Sequence, residues 1–424
     1  MRRDGLRILM IADVSPLQRA GGSARAIREQ TLGLSRRGHS LTVVCRHPGG
    51  EVPIDSRLGN ARVHHYDVAR NNPLAYAVTS LNGAKRAYRR LFRKQMWDTV
   101  IFHQPFSAVG IRPMLPSSQT CLYYFYSPAG VEYQLRATQP RTGRCGLGAR
   151  IISVLLKRLE KRALQKVNRV VVLSRFSRDL LEDQHGRSSP QVVLIPGGVD
   201  LDHFQPSSDR DKTRRELSIP TNTSFLLTIR DLEQRMGIDT LLDALPSVKT
   251  DTPFSCAIGG SGPLRAYLEE RASRSAAKGM VRFLGHIPEE QLPLYYQAAD
   301  VFVLPTQAHE GFGLVTVEAL ACGTPVVATP VGATPEILKP LDEKLLASDS
   351  SARSLAHSIS RALPLGKDTA YRERCRRYTE RYFSWENHVE RLEQEIATLL
   401  RMSSHPHPIQ EDSPPVHENR NGLS

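Results

Sequence analysis

Short, wholly apolar runs alternate along this chain with stretches in which apolar residues return every three or four positions. The first run, RILMIA at Arg7–Ala12, has the length and texture of a buried strand. A polar loop containing Gly21 and Gly22 follows. Helical periodicity then runs from Ser23 to about Arg37, with Gly38 as its stop. Residues 41–45 (LTVVC) form the next run. Strand, glycine turn, helix and strand in that order predict a βαβ unit, the opening of a doubly wound domain. Further strands are predicted over 97–103, 120–125 and 167–173, the last preceded by a basic helix over 149–165.

The alternation breaks at Pro196-Gly197-Gly198 and the polar, charge-rich stretch 200–222, which reads as a domain boundary. It then restarts. Strands are predicted over 225–229, 254–258, 281–284, 301–304 and 325–328, with helices between them, including 292–299 and 314–321. The fold class is therefore α/β, with two successive parallel-sheet domains, 1–195 and 196–370. Residues 371–402 predict one terminal helix, with Trp385 and an apolar stripe at Val389, Leu392 and Ile396. The tail, 403–424, is rich in Pro, His and Ser and reads as disordered; His405, His407 and His417 read as solvated rather than metal-binding.

Charge changes this picture. The 424 residues carry a net +14, unevenly. Residues 1–200 hold 32 basic and 13 acidic side chains, a surplus of 19, whereas the remainder holds 25 basic and 30 acidic. The first half thus faces an anionic partner. The clusters at 85–94 (KRAYRRLFRK) and 157–169 carry much of the surplus. In the first, Tyr88, Leu91 and Phe92 supply an apolar edge beside the basic face, as on an interfacial helix at an anionic membrane surface. Nucleic acid is disfavoured, since no binding motif accompanies the charge. No apolar run reaches a membrane-spanning length, and the apolar start is interrupted by Asp13. Cys45, Cys121, Cys145, Cys256, Cys322 and Cys375 show no paired metal spacing and read as buried thiols of a reducing compartment. The expected location is cytoplasmic, peripheral at the inner face of the membrane.

The chemistry concentrates in Glu310-Gly-Phe-Gly-Leu-Val-Thr-Val-Glu318. Two carboxylates stand eight residues apart, one in a glycine-rich turn after a strand and one a turn into the next helix. Gly311 and Gly313 let a ligand approach the backbone. The amides of Phe312, Gly313, Leu314 and Val315 open that helix and favour an anion such as a diphosphate. Glu318 is then placed to accept from vicinal hydroxyls, and Glu310 to lie near the group being transferred. Asp200-Leu-Asp202 and Asp209-Arg-Asp211 match a short metal-binding pattern but fall between the domains, so no metal and no cofactor are expected.

The segment from Glu310 to Glu318 resembles the paired-glutamate motif of glycosyltransferase family 4, whose members are retaining enzymes of the GT-B fold. Its surroundings are similar too: Gly323-Thr-Pro-Val-Val-Ala-Thr-Pro-Val-Gly-Ala-Thr-Pro-Glu336, Leu194-Ile-Pro-Gly-Gly-Val-Asp200, the turn Gly260-Ser-Gly262-Pro263, and Phe283-Leu-Gly-His286 running to Ala299-Asp300. The resemblance implies two Rossmann-like domains facing a central cleft, acceptor on the first and nucleoside-diphosphate-sugar donor on the second, with the terminal helix crossing back. It implies donor contacts from Gly21, Gly22, Gly262 and Ile287 as well as the α-helical amides. The loop Thr228-Ile-Arg-Asp-Leu-Glu-Gln-Arg-Met-Gly237 departs from the family's usual pattern: Asp231 and Met236 stand where an Arg and a Lys are expected, and Arg230 and Arg235 stand one place earlier. Either guanidinium suits a diphosphate. His103, ending a strand, is expected at the sugar or acceptor. Tyr126 stands where relatives often have another histidine, and Glu132 is expected on the acceptor side. The function implied is sugar transfer to a hydroxyl of a glycan or lipid-linked acceptor, with retention. Two rivals remain open: a catalytically silent module of the same fold that binds nucleotide or glycan as a regulator, and a sugar-nucleotide epimerase or phosphorylase.

Overall fold

The computed structural model describes residues 5–18, 21–70, 72–137, 146–187 and 190–404. Cys145 and the histidines of the tail lie outside them. The first sheet is built from β1 (Arg7–Ala12), α1 (Gly22–Arg36), β2 (Ser40–Arg46), β3 (Asp55–Leu58), β4 (Ala61–Tyr66), α2 (Pro73–Phe92), β5 (Thr99–Phe102), α3 (Pro105–Ile111), β6 (Cys121–Phe125), α4 (Ala129–Ala137), α5 (Leu147–Leu164), β7 (Arg169–Val172), α6 (Arg175–His185) and β8 (Val192–Leu194). Its eight strands lie in the order β3-β4-β2-β1-β5-β6-β7-β8, parallel except for β3. Wholly apolar strands occupy the centre because helices cover both faces; Ile8 through Ala12 are fully buried.

Asp13, which breaks the first apolar run, has a structural use. Its carboxylate accepts from the amides of Phe106 and Ser107 at 3.0 and 2.9 Å and from the Tyr66 hydroxyl at 3.1 Å, capping α3 across two strands. The hairpin β3–β4 has no counterpart among the predicted strands. Its strands are short, and β4 interleaves Arg62, His64 and His65 with three apolar core positions, Ala61, Val63 and Tyr66, so no apolar run marks it. The basic helix α2 also differs from expectation. Tyr88 and Phe92 are buried against Trp97 and the sheet, so they form core and not the apolar edge of an interfacial helix.

The second sheet follows a connecting segment: α7 (Arg210–Glu216), β9 (Ser224–Ile229), α8 (Ile238–Ala244), β10 (Phe254–Gly259), α9 (Arg265–Arg274), β11 (Val281–Gly285), α10 (Leu292–Ala298), β12 (Val301–Leu304), α11 (Leu314–Ala321), β13 (Val326–Ala328), α12 (Thr334–Leu338) and α13 (Ala352–Lys367). Its strands run in the order β11-β10-β9-β12-β13, all parallel. The connecting segment is tied to this sheet by Asp300, which is 1% exposed. Its carboxylate takes Arg210 and Arg214 at 2.9 and 2.8 Å and the Phe225 amide at 2.8 Å. A buried charge so fully paired is tolerated; removing one partner would strand it.

The predicted terminal helix is two helices, α14 (Thr369–Tyr382) and α15 (Trp385–Ser404). The break arises where the chain meets the connecting segment: Val199 donates to the Phe383 carbonyl at 2.7 Å, and Trp385 donates to the Val199 carbonyl at 3.3 Å. α15 then lies on α1. Val389, Leu392, Ile396 and Leu399 are each no more than 5% exposed, and burial of such side chains contributes about 2 kcal/mol apiece. A side chain at Gly33 would sit 2.5 Å from a Val389 methyl, so only glycine permits this approach. Arg37 and His39 share Glu393 at 2.6 and 3.1 Å, clamping the exposed end. No helix among the described residues is long and apolar enough to cross a membrane. Cys45, Cys121, Cys256, Cys322 and Cys375 are unbonded and buried.

Candidate active site

The strand ends of the two sheets face one cleft. On the second side, the chain leaves β12 at Leu304 and turns through Glu310 to Gly313, whose φ of +88° caps α11 in a left-handed conformation that suits glycine. The first amides of α11, those of Leu314 and Val315, have no acceptor within the helix. On the first side, Gly21 (φ +103°) and Gly22 open α1. A β-carbon at Gly22 would lie 3.5 Å from a Leu314 methyl, so the glycine turn meets the start of α11 across the cleft.

Glu310 and Glu318 flank this point, 8% and 2% exposed. Arg230 donates to the Glu310 carboxylate at 2.6 Å, and Thr306 donates to the same oxygen at 3.4 Å. Arg230 also reaches the Met236 sulfur at 2.8 Å. One nitrogen of its guanidinium, Nη2, is thus held on Glu310, while its buried Nε has no hydrogen-bond partner. Arg235 donates to the His309 carbonyl at 3.0 Å; its buried Nε lies 3.6 Å from Glu233 and has no hydrogen-bond partner. Glu318 is bonded to Arg25 of α1 and accepts from the Tyr296 hydroxyl at 3.0 Å. Arg25 also lies 3.6 Å from Glu289, and the two carboxylates, led by Glu318, raise its pKa. Beside this pair, a cavity of about 230 Å³ is lined by Arg28, Asp200, His203 and Glu289 among others.

The loop that carries Glu310 is also docked on the first domain. Ser174 and Ser177, at the start of α6, donate to the Gly311 carbonyl at 2.7 and 3.1 Å. The amides of Arg175 and Phe176 donate to Glu336 at 2.8 and 2.7 Å. Phe312 packs where a side chain at Gly197 would stand, 2.7 Å away, and its ring meets Phe383 at 5.9 Å. Gly262 lies against the Leu232 backbone, and Ile287 packs over Gly259, so these two shape the floor between β9, β10 and β11.

His103 follows β5 and is 1% exposed. Its Nδ1 is 2.9 Å from the Tyr126 hydroxyl, its ring stacks on Tyr124, and its Nε2 is buried without a protein partner. Burial, with a smaller push from His388, lowers its pKa to about 3, so the imidazole is neutral. Burial raises the Tyr126 pKa. Glu132 lies in the first turn of α4, and Arg136 of the same helix bridges it to Glu233 of the second domain at 3.8 and 3.9 Å. Asp200 accepts from the amides of Asp202 and His203, and Asp209 caps α7 through Lys212. Among the described residues no group of three or more His, Cys, Asp or Glu is arranged to hold a metal ion.

The sequence alone marks no role for Arg25, Tyr296 or Thr306, and Glu336 stands in it only as the end of a motif. Arg25, Tyr296 and Glu336 meet partners 293, 22 and 161 residues away, a separation with no local signal, whereas Thr306, four residues before Glu310, and Arg25, three after Gly22, stand close enough to a motif to be found.

The comparisons agree with this geometry. The family model described as Glycosyltransferase Family 4 matches residues 20–203, and that described as Glycosyl transferases group 1 matches residues 209–382. D-inositol 3-phosphate glycosyltransferase of Corynebacterium aurimucosum is 34% identical over 46% of this chain and 48% of its own length. A GDP-mannose-dependent alpha-(1-6)-phosphatidylinositol monomannoside mannosyltransferase of Mycolicibacterium smegmatis is 35% identical over 39% and 45%. The chain thus aligns with about half the length of these relatives. Among solved structures, sucrose-phosphate synthase of Thermosynechococcus elongatus superposes with a TM-score of 0.78 at 24% identity, covering 93% of this chain and 99% of that one. HepE of Anabaena in complex with UDP gives 0.69 at 18% identity, covering 93% and 100%. At such identities these two neighbours establish the fold, which is GT-B. With both halves matched by their family models, the chain belongs to the group 1 glycosyltransferases of family 4.

Proposed function

We propose that the protein transfers a sugar from a nucleoside-diphosphate-sugar to a hydroxyl of a glycan or lipid-linked acceptor, with retention at the anomeric carbon and without a metal, in the cytoplasm. One observation carries this reading: two buried carboxylates, Glu310 and Glu318, bracket the open amides of α11 at the point where the first domain's glycine turn closes on them. The donor diphosphate sits on the amides of Phe312, Gly313, Leu314 and Val315, with Arg235 as its cation. The buried Nε of Arg235, without a hydrogen-bond partner though 3.6 Å from Glu233, supports that role, and the Nε of Arg230 is in the same state. Fixed dipoles and a guanidinium stabilise the departing diphosphate in place of a divalent ion.

Glu318 binds the ribose. Glu310 holds a sugar hydroxyl and supports the cationic ring that develops as the glycosidic bond breaks. Arg230 orients Glu310 in this scheme, and its reach to the diphosphate is secondary. Neutral His103 offers Nε2 to the sugar, steadied by Tyr126 on its other nitrogen. Gly262 and Ile287 frame the base, Gly21 and Gly22 approach the diphosphate, and Glu132 faces the acceptor. The acceptors named for the two curated relatives, an inositol phosphate and a phosphatidylinositol mannoside, favour an anionic or lipid-linked hydroxyl compound for the basic first domain.

The test is a thermal-shift series with UDP, GDP, ADP and their sugars, followed by product analysis with the one that binds. A ligand that binds only the native state at about a hundred times its Kd adds about 2.7 kcal/mol. Sugar appearing on an added acceptor supports the proposal. Binding with no turnover favours the silent regulator. An altered sugar nucleotide or free sugar and nucleotide formed without any acceptor favours the epimerase, and a requirement for inorganic phosphate favours the phosphorylase.

A further inference from the structure

The exposed apolar surface beside the basic charge of the first domain lies on α5 and not on α2. Leu147, Ile151, Val154 and Leu155 of α5 are 75%, 54%, 49% and 54% exposed. They are four of the ten large hydrophobic side chains exposed among the described residues, and the other six are scattered, so this helix holds the one concentrated group. Their spacing puts them on one face over the first two turns. Arg158, Lys161 and Arg162 continue the same face over the last turns, and Arg150 and Lys157 line its side; all five are exposed. The one carboxylate of α5, Glu160, points the opposite way. It is 2% exposed, 2.9 Å from His185 Nε2, and accepts from the Ala129 amide. The outer face therefore presents four apolar side chains and five cations with no anion among them.

We infer that this face of α5 docks on the surface of an anionic lipid bilayer. The apolar turns enter the boundary between headgroups and acyl chains, and the cationic turns lie among the phosphates. Charge decides among occupants. A second copy meeting this face would bring five cations against five, with no carboxylate to pair them. Water alone would leave four aliphatic side chains exposed in nine residues. A bilayer of anionic lipid matches both halves of the helix. The surface stands on α5 alone. Its meaning for catalysis rests on the function proposed above: α5 packs on α4, and α4 reaches the mouth of the cleft through Arg136 and Glu233, so the acceptor side lies one helix from the membrane.

The experiment is flotation of the full chain with vesicles of phosphatidylcholine containing about one-third phosphatidylglycerol, against phosphatidylcholine alone, at low and high salt. The wild type should float with the anionic vesicles, and less so at high salt. The pair Ile151→Gln with Leu155→Gln, and separately Arg158→Gln with Lys161→Gln, should each lower partitioning about tenfold. Arg86→Gln with Arg89→Gln on α2 should change it less than twofold, although it removes equal charge. All these positions are exposed, and unchanged melting temperatures would show that the variants fold. No flotation with anionic vesicles, equal flotation of the α5 variants, or wild-type binding to polyglutamate as tight as to vesicles would each overturn the inference. So would a dimer in sedimentation that the Ile151 and Leu155 changes abolish. Flotation of a wild type that binds no sugar nucleotide would leave this surface standing and remove the proposed function instead.

Discussion

Glu310 and Glu318 look equivalent in the sequence, and the structure makes them opposites. Both are buried, and each is held by an arginine. Arg230, however, comes from the same domain as Glu310, on the loop after β9, so that pair persists whether the cleft is open or shut. Arg25 comes from α1 of the other domain, so the pair with Glu318 exists only when the two domains meet. One carboxylate is set wholly by its own scaffold; the other keeps only the Tyr296 hydroxyl from its own domain and is completed by Arg25 on closure. A donor would find Glu310 already oriented and would have to share or displace the hold on Glu318.

The sharpest break of this comparison is Glu310→Gln. The amide keeps an oxygen for Arg230 and loses the negative charge. Transfer should fall by about 10²–10³-fold, with nucleotide affinity changed less than about threefold, because the charge matters when the ring becomes cationic and not when the donor binds. Steady-state kinetics beside calorimetric titration of the nucleoside diphosphate separates the two. An unchanged rate removes Glu310 from the chemistry.

Next in size is Arg25→Ala. It strands Glu318 at 2% exposure with only the Tyr296 hydroxyl for company. Breaking a buried pair costs 3–5 kcal/mol, and because Arg25 keeps some access to water, about 2 kcal/mol is expected here. A nucleoside diphosphate supplies ribose hydroxyls to the stranded carboxylate. The nucleotide should therefore raise the melting temperature of Arg25→Ala by more than that of the wild type. A smaller rise would mean that Arg25 is itself a donor ligand, and the contrast between internal and cross-cleft pairing would lose its functional content.

The same contrast explains what the sequence made legible. The second sheet is readable almost strand by strand, since β9, β10, β12 and β13 are parallel strands largely buried on both faces and so appear as mainly apolar runs, interrupted only by a Ser or Thr. The segment from Glu310 to Glu318 is readable because its chemistry is local, a turn and the helix it starts. The β3–β4 hairpin was not, although its turn Gly59-Asn60 between Leu58 and Ala61 is the kind of two-residue signal that marks one. Partnerships across the cleft have no local signal at all. Arg25 with Glu318, the α6 amides with Glu336, and α15 with α1 join residues whose separation in sequence carries no period. The basic clusters show the limit differently. Charge alone gave no way to tell that α2 buries its aromatic residues while α5 exposes its aliphatic ones; the packing of Glu160 against His185 decides which side of α5 faces out.

The smallest expected effect tests how the terminal helix reports on the cleft. His388 of α15 joins three elements: its Nδ1 is 2.6 Å from the Pro196 carbonyl, and its Nε2 is 3.0 Å from Gln30 of α1 and 3.1 Å from the Tyr124 hydroxyl. Burial pushes its pKa down to about 4, against about 6.5 in the unfolded chain. Between those values the unfolded state binds the proton and the folded state does not, so stability falls as the pH drops. For this one group the loss between pH 7 and pH 5 is about 2 kcal/mol. His103 adds a loss of the same sign, whereas Asp13 and Glu160, whose pKa values burial raises, act in the opposite sense. The net slope of the wild type therefore mixes several groups, and the difference from His388→Gln reports chiefly one, with a smaller part carried through His103, which His388 also pushes down. That variant should be less stable than the wild type at pH 7 and should gain on it by about 2 kcal/mol by pH 5, measured by denaturant unfolding. A difference that stays flat with pH would mean that water reaches His388, and that the junction of α15, α1 and the connecting segment opens in the free protein.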